Sequence, residues 1–229
     1  MTPPRPLRVA MIGHGFMGAA HSQAWRTAAR VFDLPLAPEM VVLAGTNEAA
    51  LTTSASQLGW AEWSTDWRTT VARDDIDVVD IVTPGNLHAE VAIEALQAGK
   101  HVLCEKPLAN TVAEAEAMVA TAATSPGIAM VGFTYRRVPA VTLARDLIAA
   151  GEIGEVRQAR AVYLQDWLAD ADAPMTWRLD KASAGSGALG DIGAHIVDAV
   201  QFVTGSLLTE VSGALRTFVT ERPLLGESV

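Results

Sequence analysis

The hexapeptide Gly13-His14-Gly15-Phe16-Met17-Gly18 constrains this chain more than any other stretch. It lies between an apolar run, Leu7 to Ile12, and a segment in which Met17, Ala20, Ala24 and Ala28 recur at helical spacing. The order is therefore strand, glycine turn, helix. In that setting Gly13 makes the tight turn, and Gly15 has no side chain to hold a pyrophosphate away. Gly18 lets the helix pack close to the strand. The free N–H groups of the helix start, through Phe16 and Met17, and the positive end of the helix dipole then face an anion. Such a turn also occurs as a plain strand-to-helix connection, but its place between a first strand and a first helix favours dinucleotide binding.

The same alternation continues to Phe133. Val41 to Ala44 and Asp77 to Thr83 read as buried strands, His101 to Glu105 as the next strand, and Ile128 to Phe133 as a further apolar strand. Helices come between them, with Asn47 and Asp66 as N-caps and Thr111 with Glu114 as a capping box. Strands separated by helices predict an α/β fold: an N-terminal Rossmann doubly wound parallel sheet over residues 1–132. From 133 the pattern changes. Pro139 opens a helix, 155–166 and 210–220 read as long strands, and 189–203 reads as a helix. Residues 133–229 are thus expected to form a second, α+β domain. Two strands make only a marginal sheet, so this domain reads as truncated, either a fragment or completed by another chain.

Composition narrows the partners. The 229 residues are 50% hydrophobic, enough for one or two domains with a real core. A net charge of −9 and the lack of any Lys/Arg run argue against nucleic acid. No apolar run reaches membrane-spanning length. The proline-rich start, Met1 to Pro6, leads into a first strand rather than a secretory leader. The single cysteine, Cys104, cannot form an internal disulfide, which points to a reducing compartment, the cytoplasm.

Chemistry gathers at the carboxyl ends of the predicted strands, where open parallel sheets bind ligands. The second strand ends at Gly45-Thr46-Asn47. No carboxylate stands there to bind ribose hydroxyls or repel a 2′-phosphate, and Thr46 and Asn47 can donate to one; between NAD and NADP this tilts slightly toward NADP. Thr83, Pro84, Asn86 and His88 follow the third buried strand, and Glu105, Lys106 and Pro107 follow the next. Lys106 is either a lysine whose proton is put to use in the crevice or a surface lysine paired with Glu105. Asp191 and His195, spaced i, i+4 with Asp198 beyond, share one helical face. They suit proton abstraction from an alcohol, or equally a capping aspartate beside a satisfied core histidine. No third ligand is near in sequence, so no metal is expected.

With Gly13–Gly18, the string Ala98 to Pro107 (AGKHVLCEKP) and Gly185 to His195 (GSGALGDIGAH) in hand, the chain resembles the Gfo/Idh/MocA family of NAD(P)-dependent sugar and cyclitol oxidoreductases from Leu7 to about Thr220. The resemblance implies that Lys106, His195 and Asp191 are catalytic, and that Thr83, Pro84, Asn86, His88 and Glu105 line the cofactor. It also implies a Lys106–Pro107 bond that is often cis, and substrate or cofactor contacts at Arg136, Trp177 and Arg178. It further implies that residues 133–229 carry an open, mostly antiparallel sheet for substrate binding and oligomerisation, through which dimers or tetramers form, and that an acidic residue usually stands near the position of Gly45. The expected activity is hydride transfer between a nicotinamide and a secondary alcohol or ketone of a sugar or cyclitol. A cofactor-sensing regulator and a hydrolase with a transient redox step are the alternatives on the same fold.

Overall fold

Leu7–Ile12 forms β1, and the glycine turn carries the chain into α1, Phe16–Val31. Then come β2 (Pro38–Ala44), α2 (Glu48–Leu58), β3 (Glu62–Ser64), α3 (Trp67–Val71), β4 (Val78–Ile81), α4 (His88–Gln97), β5 (His101–Cys104), α5 (Val112–Thr124) and β6 (Ala129–Val131). This is a computed structural model, and it describes residues 5–224. Contacts divide the chain into two units, one ending at Gly132 and the next starting at Phe133.

In the first unit all six strands are parallel, in the order β3-β2-β1-β4-β5-β6. This is the doubly wound Rossmann arrangement, with its switch point where β1 meets β4. The register aligns Ile12 with Ala44 and Ile81, Ile81 with Cys104, and Cys104 with Val131. Five carboxyl ends thus share one edge. The chain leaves that edge at Gly13, Gly45, Val82, Glu105 and Gly132.

Strand alternation separates two cores. Ala10, Ile12, Val42, Val79, Ile81 and Val102 face one side, where Val91, Leu96 and Met118 close over them. Val9, Met11, Leu43 and Val78 face the other, against Leu51, Ala55 and Trp60. Met11 and Leu43 are fully buried, and each contributes about 1.5–3 kcal/mol. The caps form as the sequence predicts: Asn47 Oδ1 accepts from Ala50 N–H, Asp66 from Arg68 and Thr69, and Thr111 with Glu114 makes both bonds of a capping box. β3 is missed by the sequence reading because it is a short, exposed edge strand with little apolar pattern. β2 starts earlier than expected because Pro38 is its first residue, a place that costs no ladder bond.

The second unit, taken by itself, is helical. It contains α6 (Pro139–Ala149), α7 (Lys181–Ala184) and α8 (Ala194–Thr204), with α6 packed on α8. The open antiparallel sheet expected here is not formed among the described residues. Residues 155–166 and 210–220 carry no strand pairing, and Val162, Leu164, Val211, Leu215 and Phe218 remain exposed. The physical reason is that alternation specifies a face and not a partner; a strand exists only when a second backbone takes its hydrogen bonds. The helix predicted over 189–203 is also divided, since Leu189–Gly193 winds as a π-turn before α8. No helix among the described residues is long and apolar enough to cross a membrane.

Candidate active site

The glycine turn is built for close approach. Gly13 sits at φ +110, and a Cβ there would lie 3.0 Å from the Val82 carbonyl. A Cβ on Gly18 would meet Gly13 O at 2.8 Å, so α1 can lie this close to the turn only without one. Around Gly15 nothing stands within 4 Å of a built Cβ. Gly15 is also the N-cap of α1 and supplies no side-chain hydrogen bond, leaving the helix start to receive an anion through its backbone. Phe16 is 80% exposed, whereas the Met17 side chain packs on the core, so only its backbone is available for such a ligand. Across the switch point, Thr83 Oγ1 is buried and has no hydrogen-bond partner among the described residues. Open space, a capless helix start and an orphaned hydroxyl all fit a dinucleotide at this edge.

At the end of β2, Thr46 and Asn47 are exposed. Asn47 Oδ1 is taken by its capping bond, which leaves the amide NH₂ as its donor. His14 fills the space over Gly45: a Cβ there would lie 2.6 Å from His14 Cδ2, and His14 Nδ1 stands 3.4 Å from Ser54 Oγ. Nothing in the sequence marks His14 for this place, since residues 14 and 45 meet only once β1 and β2 pair.

Two residues expected to line a cofactor, His88 and Glu105, are buried and hydrogen-bonded within the first unit. His88 is 1% exposed; its Nδ1 stands 2.8 Å from Pro107 O and its Nε2 2.9 Å from Thr83 O. It joins the turn after β4 to the turn after β5. Glu105 is 5% exposed and holds the Lys106 N–H at 3.1 Å and His21 Nε2 at 3.2 Å. Both support the edge from beneath. Pro84 and Lys106 are half-buried, and Asn86 is exposed. The Lys106–Pro107 bond is cis.

In the second unit, Asp191 lies in the π-turn and His195 in the first turn of α8. The His195 ring stacks on Tyr135 at 4.5 Å between centroids and meets Phe133 edge-on at 6.4 Å. Tyr135 and Tyr163 share a hydroxyl–hydroxyl bond of 2.6 Å. That bond, followed by burial and the negative field of Tyr135 and Asp191, raises the Tyr163 pKa above its ordinary value. Histidine, aspartate and two phenols therefore form one cluster, a set able to take and pass a proton. The tyrosines escaped the sequence reading because they stand 28 residues apart in the chain. Asp198 is not part of the cluster. The Arg136 guanidinium binds it through Nε at 3.0 and 3.1 Å and through Nη2, and stands 5.5 Å from both the Phe133 and Phe202 rings. Arg136, expected at substrate, is thus an exposed residue that holds the buried Asp198. Trp177 is 42% exposed with the Arg178 guanidinium 4.5 Å over its ring.

Comparison with known proteins finds two profiles along the chain. A profile described as an oxidoreductase family with an NAD-binding Rossmann fold matches residues 7–133, and the Gfo/Idh/MocA C-terminal domain matches 141–227. The chain is 45% identical to levoglucosan dehydrogenase of Pseudarthrobacter phenanthrenivorans over 95% of its own length and 56% of that protein. It is 30% identical to an NAD⁺-dependent scyllo-inositol 2-dehydrogenase of Bacillus subtilis over 90% of its own length and 56% of that protein. Among solved structures, an oxidoreductase domain protein of Kribbella flavida superposes with a TM-score of 0.94 at 64% identity, over 96% of this chain and 60% of the other. The chain spans little more than half the length of the curated relatives it matches.

Proposed function

The chain belongs to the Gfo/Idh/MocA oxidoreductase family, and from that premise we propose that it is the nucleotide-binding and catalytic part of an NAD(P)-dependent dehydrogenase acting on a secondary alcohol of a sugar. The relatives support a pyranose or cyclitol, with an anhydrosugar such as levoglucosan as the first to try. The single observation that carries the reading is the shared sheet edge, where the capless start of α1 and the strand end bearing Lys106 stand in register.

When bound, the nicotinamide supplies the acceptor for hydride. The protein supplies position and proton handling. In this reading the Lys106 ammonium donates to the reacting hydroxyl, His195 takes the hydroxyl proton, and Asp191 holds a neighbouring hydroxyl. Gly13, Gly15 and Gly18 with the N–H groups of Phe16 and Met17 receive the pyrophosphate. Thr83 Oγ1, Pro84 and Asn86 face the nicotinamide half. At Gly45 nothing anionic rejects a 2′-phosphate, so NADP(H) is admitted beside NAD(H), with Thr46, Asn47 and His14 as donors.

The test is absorbance at 340 nm with the protein at its full natural length, NAD⁺ and NADP⁺ separately, against anhydrosugars, aldoses and inositols. Lys106→Ala should lower kcat/KM by about 10²- to 10⁴-fold on whichever sugar turns over. Tight cofactor binding without turnover on any of them would favour the sensor or the transient-redox hydrolase.

A further inference from the structure

His21 lies on α1, little more than one turn past its start, and its side chain is 12% exposed. Its Nδ1 stands 3.0 Å from both oxygens of Asp80, and its Nε2 stands 3.2 Å from Glu105 Oε1. Asp80 is fully buried in the middle of β4, where it also accepts the Trp25 indole N–H at 2.7 Å. Glu105 follows β5 and uses its second oxygen to accept the backbone N–H of Lys106 at 3.1 Å. The same Oε1 lies close to the backbone that follows β6: a Cβ on Gly132 would stand 2.8 Å from it, so only glycine leaves the oxygen its place.

Both ring nitrogens face carboxylate oxygens, and a carboxylate only accepts. A ring that satisfies both sides must donate from both nitrogens, and is therefore an imidazolium. The charge balance points the same way: a cation between two buried carboxylates on adjacent strands offsets a charge that would otherwise be strongly unfavourable there. The pKa agrees. Burial alone pushes the imidazole down, but the hydrogen bonds to Asp80 and Glu105 and their charges outweigh it, lifting it to about 10.

We propose that His21 is a positioning residue: by bridging Asp80 and Glu105 as a cation, it fixes the Glu105–Lys106 backbone against the helix that begins at the glycine turn. The proposal rests on the reading of Lys106 as catalytic. It explains why a charged triad sits beneath the edge that needs the greatest rigidity. α1 carries the start of the anion site and β5 carries the lysine, and His21 is the charged side chain that joins them. A lysine whose origin shifts by an ångström loses its reach to a fixed hydroxyl, which is a kinetic fault more than a binding one.

The experiment has two arms. In the first, ¹⁵N-labelled imidazole shifts of the free wild-type protein are followed against pH. Both His21 nitrogens should be protonated at pH 8 and titrate near pH 10; a neutral ring at pH 8 overturns the proposal, with no variant and no substrate needed. In the second, His21→Gln is compared with wild type. The Lys106 amide proton should shift as its bond to Glu105 loosens, and kcat should fall by about 10- to 100-fold while the Kd for NAD⁺ moves less than about threefold. An unmoved Lys106 amide, or kcat and cofactor affinity lost in equal measure, overturns it as well. Should no sugar turn over in wild type, the function reading fails while the ring titration and the amide shift still decide the role of His21.

Discussion

Position 45 illustrates how one missing side chain sets two properties. An ideal Cβ there would lie 2.6 Å from the ring of His14 and 3.2 Å from Leu51 Cδ1. An aspartate introduced at Gly45 would have to displace His14 from Ser54 before it could reach a ribose. We therefore expect Gly45→Asp to weaken ADP-ribose and its 2′-phosphate together, with the phosphate weakened more by charge. In a His14→Ala background the space opens, and Gly45→Asp should then favour ADP-ribose over the 2′-phosphate by about tenfold or more, the worth of one hydrogen bond to a charged group. Titration calorimetry with these two fragments checks this without any turnover. If Gly45→Asp already gives full preference in the presence of His14, the ring is no obstacle. The glycine was legible in the sequence and its occupant was not, because residue 14 meets residue 45 only after β1 and β2 pair. Asp80 did leave a signal: a carboxylate within Val78-Val79-Asp80-Ile81 must find a buried donor, although which one cannot be read from the strand itself.

At the scale of elements, legibility follows the range of the physics. Caps are decided within four residues, and Asn47, Asp66 and Thr111 all form as their local pattern predicts. The capping box of α5 gives a direct test. Thr111 Oγ1 accepts the Glu114 N–H at 3.2 Å, and Glu114 Oε2 accepts the Thr111 N–H at 2.9 Å. Thr111→Ala should destabilise the first unit by about 1 kcal/mol, read as a shift in the urea midpoint at unchanged slope. A change under a few tenths would mean that the helix start is held by its packing. Strand pairing in the second unit is the opposite case. The apolar alternation of 155–166 is plain, yet nothing within the segment says which backbone should lie beside it. The π-turn at Leu189–Gly193 is likewise invisible to a periodicity of 3.6. It changes the spacing on which Asp191, His195 and Asp198 were placed on one face, and Asp198 goes to Arg136.

For the whole molecule, charge makes stability depend on pH at both ends, and the two ends have different causes. Asp75 is held well below the usual carboxylate range, by its hydrogen bond to Arg73 against some burial and by a second bond to Arg8. A depressed acid contributes stability that is present above its unfolded pKa and lost as pH falls. This arm belongs to acid and to exposed groups that salt screens. His21 has the opposite sign. Its pKa rises from 6.5 to about 10 on folding, so its contribution is complete below pH 6.5 and fades as pH climbs through 10. For a buried group this is on the order of a few kcal/mol. A net charge of −9 also grows more negative as pH rises, and self-repulsion weakens the fold in the same direction. Salt separates the two causes, because repulsion among exposed charges is screened at 0.5 M while the His21–Asp80–Glu105 triad is closed to counterions. Urea unfolding at pH 6.5, 8 and 9.5 should therefore show a decline that persists in high salt. In His21→Gln that decline should flatten, from a lower starting stability at pH 6.5. A decline abolished by salt in the wild type would assign it to net charge and remove the triad from the account.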